Sequence, residues 1–127
     1  MALTKGDTFL IRTGPNLDDY HLFVIVSDPN LTSDETVLCV NFTSTPKDKS
    51  CIIKQGEHPF VQHDTYIDYQ TGRELTIGYI QNRLIDGTGD FKTSKNSVSV
   101  AAPLLERIIQ GGKQTKKIPL KFKKYFR

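Results

Sequence analysis

His21-Leu22-Phe23-Val24-Ile25-Val26-Ser27 is the stretch on which the fold turns. Its five successive apolar residues, Leu22 to Val26, leave no polar side. A strand sends alternate side chains to opposite faces, so a short uniform run of this kind fits a central strand covered on both faces. Asp28-Pro29-Asn30 ends it, because proline lacks a ladder donor and Asp and Asn favour turns.

Similar stretches lie on either side. Upstream, Thr8-Phe9-Leu10-Ile11-Arg12 follows Gly6-Asp7 and is rich in β-formers; breaker-rich Gly14-Pro15-Asn16-Leu17-Asp18-Asp19 separates it from the central run. Downstream, residues 35–43 alternate, with Val37, Cys39 and Asn41 on one face and Leu38, Val40 and Phe42 on the other. After the turn Thr45-Pro46-Lys47-Asp48-Lys49 comes Ser50-Cys51-Ile52-Ile53-Lys54, a fourth strand. Gln55-Gly56-Glu57-His58-Pro59-Phe60 reads as a loop and Thr65-Tyr66-Ile67-Asp68-Tyr69 as a fifth, short strand. The pattern over residues 74–85 fits a strand and a helix equally, and Asp86-Gly87-Thr88-Gly89-Asp90 is a turn. Residues 103–110 form the clearest helix: Pro103 suits the first turn, Leu104/Ile108 and Leu105/Ile109 are i, i+4 apolar pairs, and Gly111-Gly112 supplies a stop.

Five closely spaced strands with turn residues between them predict a mostly β fold, a small antiparallel β-barrel or sandwich with a short C-terminal helix. No helix of useful length separates the early strands, which disfavours a doubly wound α/β fold. The chain has 127 residues, the size of one domain. Residues 1–112 are expected to form it, with 113–127 as a basic tail. No stretch has the roughly 20 apolar residues of a membrane-spanning helix, and the start lacks a signal-peptide pattern. Cys39 and Cys51 therefore read as reduced thiols in a cytoplasmic protein.

The formal net charge of +3 conceals an asymmetry. Residues 1–106 carry nine basic and fourteen acidic side chains, whereas residues 107–127 carry eight basic and no acidic ones. Lys113, Lys116, Lys117, Lys121, Lys123 and Lys124 alternate with Phe122, Tyr125 and Phe126. Cations neutralise phosphates and aromatics stack on unpaired bases, so one reading of the tail is nucleic-acid binding. The other is a terminus docked on its own body through Leu120, Phe122 and Phe126.

The order of these motifs resembles the PemK/MazF family of bacterial toxins. The likeness rests on Gly6-Asp7 opening the first strand, the apolar strand His21 to Ser27, the ending Asn41-Phe42-Thr43-Ser44, and Asp64-Thr65-Tyr66-Ile67-Asp68 after a glycine-containing loop. It covers about residues 5–70. It implies an SH3-like barrel, shared with CcdB-type toxins, acting as a homodimeric, metal-independent endoribonuclease on single-stranded RNA and restrained by an antitoxin. By position it assigns a catalytic hydroxyl to Thr43 or Ser44. The family's arginine before the second strand has no counterpart: His21 stands there.

Metal-free RNA cleavage needs a base for the 2′-hydroxyl, an acid for the leaving 5′-oxygen and donors for the phosphate oxygens. Histidine suits both proton roles, with an ordinary pKa of about 6.5. His21 and His58 are therefore the candidate catalytic pair, facing one another across a groove, with Thr43, Ser44, Lys47 and Arg73 as donors. Against this stands the plainer reading of both as ordinary strand-end and loop residues. A nucleophilic Cys39 or Cys51, and a zinc site from Cys39, Cys51, His58 and His63, are the lesser alternatives; the zinc spacings match no paired-ligand pattern. No cofactor or metal is expected. A competing class is a binding module without catalysis, such as a CcdB-like poison of a protein target or a mobile-element adaptor.

Overall fold

A computed structural model describes residues 3–13, 19–86 and 90–126. Of the expected loop at 14–19 and turn at 86–90, residues 14–18 and 87–89 lie outside the described residues, as does Arg127. The chain is mostly β. The described residues form six strands: β1 (Thr8–Thr13), β2 (Asp19–Ile25), β3 (Thr36–Thr43), β4 (Ile52–Ile53), β5 (Thr65–Thr76) and β6 (Phe91–Lys92). Helix α1 (Ile77–Asp86) follows β5, and α2 (Ala102–Gln114) follows β6. The strands make one antiparallel sheet in the order β4-β5-β3-β2-β1-β6. Among the described residues no pairing joins the edge strands β4 and β6.

The run Leu22 to Val26 is buried on both sides, as its sequence requires. Leu22, Val24, Leu38, Val40 and Phe42 point into a core closed by Leu104 and Ile108 of α2. Phe9, Ile11, Phe23, Ile25, Val37 and Cys39 point the other way, into a core closed by Ile77 and Ile80 of α1. The alternation in β3 is the one the sequence gives away.

Three elements differ from expectation. β5 is twelve residues long, not five, and carries an irregularity: Cys39 pairs with Arg73 but Asn41 with Asp68, so residues 69–72 all bulge opposite Val40. A bulge of this kind breaks the alternation by which a strand is recognised. The ambiguous stretch 74–85 is both things in turn, strand to Thr76 and helix from Ile77. Helix α2 runs through Gly111-Gly112 to Gln114 and does not stop there. Those glycines serve close approach, because a Cβ on Gly111 would overlap the Tyr69 hydroxyl and one on Gly112 the Phe126 ring.

The tail is docked. Residues Leu120–Phe126 form a tight helical segment, and Ile118, Phe122, Tyr125 and Phe126 are buried in the α2-side core. Tyr125 donates to Glu74 at 2.6 Å, and the Phe126 ring meets Tyr69 edge-on. No helix among the described residues is long and apolar enough to cross a membrane.

Candidate functional site

On the α1 face of the sheet, the apolar residues of β1, β2 and β3 give way at one end to Thr13, His21, Asn41 and Thr43. The bulge in β5 brings Thr71 and Arg73 to the same place. These side chains, with Lys47 from the loop after β3, line a groove of about 400 Å³. Thr71 donates to Asn41 Oδ1 at 2.9 Å. The Arg73 guanidinium lies 5.4 Å from the centre of the Phe23 ring, a cation–π contact that holds it over the sheet. Lys47 Nζ lies 3.9 Å from the largely buried carboxylate of Asp68.

A second hollow, of about 360 Å³, shares its rim with the first through His21, Thr43 and Thr45. Its walls are partly aromatic, with Tyr20, Phe42 and Phe60, and partly polar, with Ser44, Gln62 and His63. Tyr20 is flanked by cations. Arg12 donates to its hydroxyl at 3.0 Å, and Lys92 Nζ lies 4.0 Å from its ring centre.

His21 stands where the two hollows meet. Its Nδ1 is 2.5 Å from the Thr13 hydroxyl, which fixes the ring. Thr43 is on the same rim, and its hydroxyl accepts the Thr45 backbone N–H at 3.1 Å. Thr43, Ser44, Lys47 and Arg73 each line a hollow that His21 also lines.

His58 is not. It is 3% exposed, donates through Nε2 to the Val98 carbonyl at 2.9 Å, and accepts the Phe60 N–H at Nδ1 at 3.1 Å. Both ring nitrogens are used, and the ring packs edge-on against Phe42. A histidine held this way orders the loop before β5 and has no free nitrogen to exchange a proton. The histidine that shares a hollow with His21 is His63, weighed above only as a zinc ligand. Its Nδ1–H donates to the Asp64 carbonyl at 3.0 Å, which makes Nε2 the basic nitrogen.

The lesser alternatives fare poorly. Cys39 and Cys51 belong to cores on opposite faces of the sheet, so the four proposed zinc ligands do not converge. Burial pushes the Cys39 thiol far up and the Cys51 thiol up to about 11, the reverse of what a nucleophile needs.

The tail lysines divide. Lys123 Nζ turns inward to the carbonyls at the end of α2, reaching Thr115 O at 2.8 Å. Lys117 donates to the Lys47 carbonyl. Lys113, Lys116, Lys121 and Lys124 are exposed. Compared with protein-family models and with the sequences of curated proteins, the chain gives no match.

Proposed function

We propose that the paired hollows bind single-stranded RNA and that the chain is a divergent toxin of the PemK/MazF kind, its six-stranded sheet a variant of the SH3-like barrel. The observation that carries this reading is the position of His21 on the shared rim of a cationic groove and an aromatic hollow. Arg73 and Lys47 are suited to a phosphate, and Phe60, with the edge of Tyr20, gives the second hollow an aromatic wall for an unpaired base. In the cleavage this arrangement serves, one imidazole takes the 2′-hydroxyl proton and the 2′-oxygen attacks phosphorus. The 5′-oxygen leaves with a proton from a second donor, giving a 2′,3′-cyclic phosphate and a 5′-hydroxyl. His21 and His63 are the proton carriers of this scheme, and Thr43 and Arg73 steady the phosphate oxygens.

A second reading, a module that binds without cutting, is favoured by the loss of His58 from the site. One experiment separates the two. Protein and a mixed RNA pool are incubated with chelator across pH 5–8, and fragment ends are identified. Cyclic-phosphate ends, with a loss of about 10²–10⁴-fold in His21→Ala, support the nuclease. An intact pool that nevertheless co-elutes with the protein supports the binding module, and neither cleavage nor binding overturns both. A homodimer and an antitoxin partner belong to the same proposal, and sedimentation of the purified chain tests the dimer.

A further inference from the structure

The loop after β3 has two sides. Its outer wall belongs to the groove, through Thr45 and Lys47. Its inner side is clasped by the tail: Thr115 donates to Asp48 Oδ2 at 2.5 Å, and Lys117 donates to the Lys47 carbonyl. Asp48 also accepts the Ser50 N–H at 2.9 Å and is 7% exposed, so the acidic group of this loop is turned inward and saturated; the other carboxylate nearby, Asp68, is largely buried in the groove beside Lys47. What remains outward is cationic. Lys47, Lys49, Lys116 and Lys117 are all exposed, and they lie on two segments that the clasp holds together. Lys47 is at once a wall of the groove and the acceptor for Lys117, so the basic surface is continuous with the groove.

We propose that this surface is a phosphate track for RNA flanking the segment seated in the groove, running from Lys47 over Lys49 to Lys116 and Lys117. The inference rests on the RNA reading of the groove and adds which lysines carry the flanking strand. Lys123 is excluded, because it is half-buried and its ammonium is shared among three carbonyls at the end of α2, whereas Lys117 is exposed and holds one. Lys113 lines a different hollow, with Lys5 and Glu106. Continuity with the groove, and the like sign of the four exposed charges, match the repeating negative charge of a nucleic-acid backbone as the occupant.

The test uses the full chain and non-cleavable 2′-O-methyl oligouridines of about four and about twelve nucleotides, spanning the range of single-strand site sizes. The comparison is between wild type, Lys49→Gln/Lys116→Gln, and Lys95→Gln as a control. Each phosphate neutralised on a single strand contributes about 0.7 to the slope of log K against log salt. The double variant is expected to lower the slope for the longer probe by about 1.4, and to weaken its binding about fivefold per lysine at about 0.1 M salt. The short probe and the Lys95→Gln control are expected to be unaffected. An unchanged slope for the longer probe overturns the track while leaving the groove reading intact. Equal losses for both probes also overturn it, by placing these lysines in the groove itself. Failure of wild type to bind either length overturns the groove reading and the track together. Binding of a polyglutamate peptide with the same lysine dependence, and without RNA binding, assigns the surface to an acidic protein and likewise sinks the track.

Discussion

At the scale of single residues, chemistry here is decided by what each polar side chain already holds. His21 and His58 look equivalent in sequence, each at the edge of a strand or loop with polar neighbours. They differ because the backbone satisfies both nitrogens of His58, whereas at His21 a side chain, that of Thr13, engages Nδ1. His58→Ala is therefore expected to act on stability. It leaves the Val98 carbonyl and the Phe60 N–H without their partner and opens space against Phe42. Unpaired buried groups cost about 1–3 kcal/mol, and the cavity adds to this. For a chain of this length that is a fall in Tm on the order of 10 °C. A thermal melt at neutral pH checks it; a melt unchanged within about 2 °C contradicts the structural role. The contrast between His21 and His58 was not legible in the sequence, since no spacing rule announces a backbone carbonyl forty positions away. The presence of His63 at the site was nearer to reach. In an antiparallel pair the residues just before β5 fall beside the residues just after β3, and His63 lies two positions before β5.

At the scale of elements, the strands read well wherever burial is regular and poorly wherever geometry intervenes. β1, β2 and β3 are recognisable because each alternates between two apolar cores or is apolar throughout. β5 is recognisable only as far as Tyr69, because the bulge at residues 69–72 inserts a turn-like Gln70-Thr71-Gly72 into a continuous strand. That same irregularity aims Thr71 and Arg73 into the groove, so the feature that hides the strand also builds the site. Gly111-Gly112 misleads in the opposite sense. Paired glycines after a helical pattern suggest a terminus, yet α2 continues through them because the body presses too close for a side chain. Gly112→Ala tests this. Alanine gains about 1 kcal/mol of helix propensity over glycine in an open helix, whereas overpacking costs about 1–3 kcal/mol. Here the Cβ meets the Phe126 ring, which is fully enclosed. The variant is expected to melt below wild type. A higher Tm shows that Phe126 moves aside freely and that the glycine is not a packing requirement.

For the molecule as a whole, the separation into an acidic body and a basic tail is a division of charge and not of structure. Of the two readings of residues 113–127, docking on the body holds for the aromatic side chains, while the cationic ones go a different way. Ile118, Phe122, Tyr125 and Phe126 enter the α2-side core, while most of the lysines stay outside. A fully buried large apolar side chain is worth about 1.5–3 kcal/mol. Four of them amount to a large share of the roughly 5–15 kcal/mol that keeps a domain folded. Lys123 adds a further tie, since its ammonium supplies donors to the otherwise open carbonyls at the end of α2. Truncation after Gln114 is therefore expected to abolish cooperative melting followed by near-ultraviolet circular dichroism, exposing Tyr69 and the face of β5 that Phe122 and Tyr125 cover. Phe126→Ala keeps the test informative if the truncated chain is insoluble. Deleting a buried phenylalanine side chain costs about 3–5 kcal/mol, so its Tm is expected to fall by more than about 10 °C. Charge removal does the reverse: Lys121→Gln/Lys124→Gln changes two exposed groups and is expected to leave the melt in place. A cooperative transition near the wild-type Tm in the truncated chain shows that the body folds without its tail, and that the aromatics are bound to the surface and not part of the core.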